Sequence, residues 1–97
     1  NPSFRQVFTS RFIPGGSPEQ LHWFNDVCLK TTTGEVAARL LDSRAGVDIE
    51  PLLGQLRVPT LVLHAREDAV VPVAEGRLLA SSIPGAEFVE LDSRNHI

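Results

Sequence analysis

The stretch from Arg57 to Asp68, RVPTLVLHARED, constrains the fold more than any other part of the chain. After Pro59 comes a short continuous apolar run, Thr60 to Ala65, which turns abruptly polar at Arg66, Glu67 and Asp68. An apolar run of about 4 to 8 aliphatic and β-branched residues, bounded by breakers, reads as a strand buried on both faces, as parallel sheets require. At the carboxyl ends of parallel strands the chain enters the crevice where open α/β sheets keep ligands and catalytic groups. Asp68, three residues past the run, is expected there.

Beyond Asp68 the chain fits a single right-handed crossover to a second strand. Pro72 suits the first turn of a helix, where its missing N–H costs nothing. Ala74, Leu78, Leu79 and Ile83 recur at helical spacing, and Pro84 with Gly85 stops the helix. Glu87 to Leu91, EFVEL, is a short second strand, and the polar loop Asp92 to Asn95 leads from it to His96. The strand-end rule puts His96 beside Asp68 on one edge of the sheet. Each has a plainer reading: Asp68 as a carboxylate capping the next helix, His96 as a solvated residue near the chain end. His64, inside the first strand and opposite in face to Leu63, reads as a buried histidine satisfied by hydrogen bonds. Asp92 and Arg94 are expected to hold the loop before His96.

The first half reads as helical. Asn1 and Pro2 form a cap and first-turn pair, and Phe4, Val7, Phe8 and Phe12 mark one face until Pro14, Gly15 and Gly16. Ser17, Pro18 and Gln20 give a capping box ahead of an apolar stripe of Leu21, Phe24, Val27 and Cys28. Thr32 with Glu35 starts a third helix, in which Val36, Ala37, Leu40 and Leu41 face one way until Gly46. Asp48 caps a brief turn from Ile49 to Leu56. The division expected is a helical segment over residues 1–47 and a strand–helix–strand unit over 48–97.

Global features mainly exclude. A net charge of −3 gives no electrostatic footprint for nucleic acid or an anionic membrane surface. No apolar stretch approaches the roughly 20 residues that span a bilayer. The one cysteine, Cys28, excludes an internal disulfide framework and fits a reducing, cytoplasmic compartment. His22 and Cys28, on the second helix, do not have metal-ligand spacing, so neither a metal nor a cofactor is expected.

Val58-Pro59, the small residue Ala65 three before Asp68, Val71-Pro72, Ile83-Pro84-Gly85-Ala86 and Asn95-His96 together form a pattern that resembles the C-terminal half of α/β-hydrolase-fold proteins. More narrowly, it resembles the hydrolase-like domain fused to some bacterial LuxR-type regulators and nucleotide cyclases. The fold implied is α/β: a fragment of an α/β-hydrolase fold comprising a helical lid segment, the last two parallel strands and their crossover helix. The resemblance implies that Asp68 is the acid and His96 the base of a Ser-Asp-His triad, with Glu67 the substitute acid if the turn is displaced by one residue. It also implies that Phe12, Trp23 and Phe24, with Phe4 and Phe8, line a substrate pocket, against the plainer reading that these aromatics pack the helices together.

The nucleophile elbow G-x-S-x-G is absent: Gly15-Gly16-Ser17 has no strand before it and runs into Pro18. Because two strands do not make a stable independent sheet, a fragment of a larger domain is expected, or a second copy that completes the sheet. The function implied is hydrolysis of a small-molecule ester or amide, with the serine outside these 97 residues. The alternative is a non-catalytic ligand-sensing or interaction domain of a regulator or cyclase.

Overall fold

Two parallel strands joined through a helix organise the molecule, whose structure, a computed structural model, describes residues 2–97; the capping role expected of Asn1 lies outside them. Strand β1 is Leu61–Ala65 and strand β2 is Glu87–Leu91. They pair in parallel, from Leu61 opposite Glu87 to Ala65 opposite Leu91. The ladder runs on past both strand ends, because Arg66 N donates to Leu91 O at 2.9 Å and Glu67 N to Ser93 O at 3.1 Å. That extension draws the two carboxyl-end loops together.

The crossover helix lies between these strands in sequence and packs on both. In chain order the helices are α1 Pro2–Ser10, α2 Pro18–Thr31, α3 Gly34–Arg44, α4 Glu50–Leu53 and the crossover helix α5, Val73–Ser82. Pro72 is the residue before α5, in an extended conformation, rather than within its first turn. Gly85 has φ of +72°, a left-handed turn that glycine makes without strain, and it reverses the chain from α5 into β2.

The face of α5 against the sheet differs from the expected one. Gly76, Ala80 and Ile83 are buried, whereas Ala74 and Leu78 are exposed. The reason is close approach: a Cβ added at Gly76 would lie 2.5 Å from the His64 ring, so the helix rests on β1 through small residues. Arg77 turns outward, pairs with Glu90 at 2.8 Å and lies over the Phe88 ring. Arg66 meets the same Glu90 carboxylate at 3.1 Å, tying the end of β1 to β2 and α5.

The expectation that β1 is buried on both faces is corrected. Val62 is buried, but Leu61 and Leu63 are 54% and 55% exposed. Side chains alternate across a strand, and only the face of Val62 and His64 carries a helical layer, since α1 packs on α2 and α4 on α5. Helix α3 packs on no other described element, which leaves Val36, Leu40 and Leu41 exposed. Its cap is Thr33, whose hydroxyl accepts from Val36 N, one residue later than expected. Helix α1 ends at Ser10, before Pro14, and its Phe4 and Val7 are exposed. The capping box of Ser17 and Gln20 on α2 forms as read, and Asp48 Oδ1 accepts from Glu50 N at the start of α4.

The packing around α5 predicts unequal costs for Ile83, the residue just after its end, and Leu78, on its outer face. Ile83→Ala, at a position 5% exposed, should lower the unfolding free energy by about 2 to 5 kcal/mol. Leu78→Ala should cost less than about 1 kcal/mol. Urea unfolding of both variants checks the difference, and equal costs would put the wrong face of α5 on the sheet.

Candidate active site

Asp68 lies in a tight turn after β1 and its side chain is 3% exposed. Its two oxygens have separate duties. Oδ1 accepts from the backbone N–H groups of Val70 at 2.8 Å and Val71 at 3.0 Å, an Asx-type turn that launches α5. Oδ2 lies 2.7 Å from His96 Nδ1. The capping reading and the pairing reading therefore hold at once, one oxygen to each.

Burial, the largest single influence on this carboxyl, pushes its pKa upward. The Val71 N–H, the His96 side chain and the Val70 N–H together outweigh it, and Asp68 is held below the usual carboxylate range. It is therefore ionised at neutral pH and can only accept. The proton of the Asp68–His96 bond then sits on His96 Nδ1, so that in the neutral ring Nε2 is the acceptor.

Backbone contacts from the helical half fix the loop that carries His96. His96 N donates to Phe12 O at 2.6 Å, and Gly15 N donates to Asn95 Oδ1 at 2.8 Å. Asn95 N in turn donates to Ser93 Oγ at 3.0 Å. On the facing loop, Arg11 Nη2 donates to Ala69 O at 2.9 Å. The expectation that Asp92 and Arg94 hold this loop is corrected, since Ser93 and Asn95 do so instead. Asp92 is exposed and turns to Arg66 at 3.4 Å, while Arg94 only flanks Gly15. The polar loop composition signals a turn, but nothing local in sequence marks Gly15, 80 positions away, as the partner of Asn95.

Of the aromatic residues expected at a substrate pocket, Phe12 comes nearest the pair. Its ring meets His96 edge-on with centroids 5.4 Å apart, and Phe24 lies 5.7 Å from Phe12. Trp23 touches Phe24 at 6.2 Å and is largely exposed, two rings away from the imidazole. A hollow of about 330 Å³ opens beside Asp68 and His96, lined also by Leu63, His64, Ala65, Leu91, Ser93, Asn95 and Ile97. Phe12, Trp23 and Phe24 do not line it. Phe12 instead borders a smaller hollow of about 130 Å³ with Phe8, Arg11 and Val70. Glu67 contributes its backbone to the extended ladder. His64, read as a buried histidine satisfied by hydrogen bonds, is bonded through Nε2 to Val71 O at 2.8 Å and also lies 3.4 Å from Asp68 Oδ2.

The low pKa of Asp68 gives stability a definite pH dependence. A carboxyl whose pKa is lower folded than unfolded contributes stability that is present above its unfolded value and lost as pH falls through its folded value. Stability should therefore fall below about pH 5, and Asp68→Asn should be less stable at neutral pH yet lose less on acidification. Urea unfolding from about pH 7 to about pH 3 checks this; parallel curves for the two proteins would contradict the assignment.

No family model matches the chain. Among curated proteins it is similar to RutD of Azorhizobium caulinodans, a carbamate hydrolase by name, with 46% identity over 44 residues covering 45% of this chain and 17% of RutD. It is similar to the non-heme chloroperoxidase CPO-A1 of Kitasatospora aureofaciens, with 37% identity over 65 residues, 66% of this chain and 24% of that protein. The AB hydrolase superfamily protein YisY of Bacillus subtilis is 28% identical over 81 residues, 82% of this chain and 30% of YisY. The chain thus spans less than a third of the length of these relatives. Among the described residues no helix is long and apolar enough to cross a membrane. Helices and two parallel strands, together with these partial similarities, fit a fragment of an α/β fold that is similar over part of its length to α/β hydrolases.

Proposed function

We propose that this segment supplies the acid and base of a Ser-Asp-His triad that hydrolyses a small-molecule ester or amide, with the serine contributed from outside these 97 residues. The single observation that supports the reading is the bond of 2.7 Å between His96 Nδ1 and the buried Asp68 Oδ2. In this chemistry the bare His96 Nε2 takes the serine hydroxyl proton as the oxygen attacks the carbonyl carbon. His96 then gives that proton to the departing alcohol or amine, and water repeats the cycle on the acyl-enzyme. Asp68 stays ionised throughout, holding the tautomer and stabilising the imidazolium. The low pKa of Asp68 suits that duty, since a carboxylate that took up a proton would lose its hold on Nδ1.

Residues 1–47 are proposed as the lid, with Phe12, Trp23 and Phe24 on its substrate side. The finer division of the chain at residue 47 belongs to the same proposal. Phe12 supports it through its ring contact with His96. Trp23 is the cleanest residue to test, because it is exposed and little of the fold rests on it.

In the intact protein that carries this segment, His96→Ala should lower kcat for p-nitrophenyl ester hydrolysis by about 10³-fold or more. Unchanged turnover in that variant would remove the triad from the mechanism. Ligand binding without any turnover in the wild type would favour the competing role, a sensing domain attached to a LuxR-type regulator or a cyclase. Trp23→Ala should raise KM while leaving kcat within about twofold. Steady-state kinetics that showed both constants unmoved would place Trp23 outside the substrate site.

A further inference from the structure

His64 is a buried imidazole for which the proposed chemistry has no use. It is inside β1 and only 12% of its side chain is exposed, a place that an apolar side chain would fill without the cost of burying a polar ring. A carbonyl oxygen can only accept, so the bond of 2.8 Å to Val71 O puts a proton on His64 Nε2. Val71 is the residue whose N–H donates to Asp68 Oδ1, and the same Nε2 lies 3.4 Å from Asp68 Oδ2. The other ring nitrogen, Nδ1, faces the backbone of α5 at Gly76, where there is no room for a methyl group. Glu90 stands opposite His64 in the strand register, but its carboxylate is taken up by Arg66 and Arg77. The imidazole is thus clamped between α5 and the turn that carries the acid.

We infer that His64 is a positioning residue for Asp68: its Nε2–H, by holding Val71 O, keeps the N–H groups of Val70 and Val71 on Asp68 Oδ1 and so leaves Oδ2 aimed at His96. This deepens the proposed function and rests on its acid–base pair. Gly76 is part of the same device, because it lets α5 come close enough to fix the ring. The requirement is for a donor at the Nε2 position, not for an aromatic ring or a charge. Phenylalanine keeps the ring and loses the donor, whereas glutamine places an amide N–H near the Nε2 position and is also uncharged.

The experiment is ¹³C NMR titration of the Asp68 carboxyl in the full chain, together with the low-field signal of the His96 Nδ1 proton. His64→Phe should raise the Asp68 midpoint by roughly 0.5 pH units or more and broaden the His96 signal. His64→Gln should return both towards the wild type. Gly76→Ala, which displaces the ring from the other side, should act in the same direction as His64→Phe and serves as the second test if that variant does not fold. An Asp68 midpoint unmoved in both His64→Phe and Gly76→Ala would overturn the inference. Equal shifts in His64→Phe and His64→Gln would overturn the donor role. Failure of the underlying pair reads differently: His96→Ala would leave the Asp68 midpoint where it is, whatever the His64 variants do.

Discussion

The structure depends on one buried charge. Asp68 is ionised and nearly sealed from water, and a carboxylate left unsatisfied in such a place would cost several kcal/mol or would simply protonate. Three polar groups prevent this, two backbone N–H groups on Oδ1 and His96 on Oδ2, while His64 is bonded to Val71 O in the same turn. Each donor is in place only because a larger element is. The turn after β1 supplies the N–H groups, the parallel register brings in the loop of His96, and the close seat of α5 fixes His64. Asp68 therefore reports on the whole β1–α5–β2 unit, and a slip of one residue in the register would strand the charge.

The helical half enters the site by its backbone more than by its side chains. Phe12 O accepts from His96 N, Gly15 N binds Asn95 Oδ1, and Arg11 reaches Ala69 O on the opposite loop. Residues 11–15 thus bridge both loops that carry Asp68 and His96. Backbone acceptors and donors of this kind place a loop accurately whatever side chain is present, so the identity of Gly15 matters for space and not for chemistry. A Cβ there would sit 3.2 Å from Asn95 Oδ1, tighter than ordinary packing allows.

Local pattern makes the strands legible, and through them the meeting of Asp68 with His96. β2 has the bounds read from sequence and β1 differs by one residue, because continuous apolar runs closed by polar breakers encode them. The capping box at Ser17 is equally local. What escapes is whatever depends on another element. Leu78 looks like a core residue and Gly76 does not, yet close approach of α5 to His64 buries the glycine and leaves the leucine out. Asp92 and Arg94 stand out in the sequence over Ser93 and Asn95 because charge draws the eye, while a loop is held by whichever acceptor meets a free N–H. Leu61 and Leu63 show the limit of strand periodicity, which marks a residue as able to be buried without saying that a layer covers it.

These differences in cover imply differences in local stability. The buried apolar residues gather around β1 and α5, with Leu53 of α4 against them and Ile13 beside the loop of His96. Helix α2 buries none of its residues fully, and α3 has neither buried residues nor a packing partner among the described elements. A helix of 11 residues without tertiary support is marginal in water even with a good cap. Opening of α3 should therefore cost little and pass unnoticed at Asp68, since no contact joins them. Residues 9–15 are the opposite case: Thr9 and Ile13 are buried, and Phe12 and Gly15 are bonded to the loop of His96. The helical half meets the Asp68–His96 pair through that short segment, so the geometry at His96 rests on residues 11–15 and not on the helices as a body.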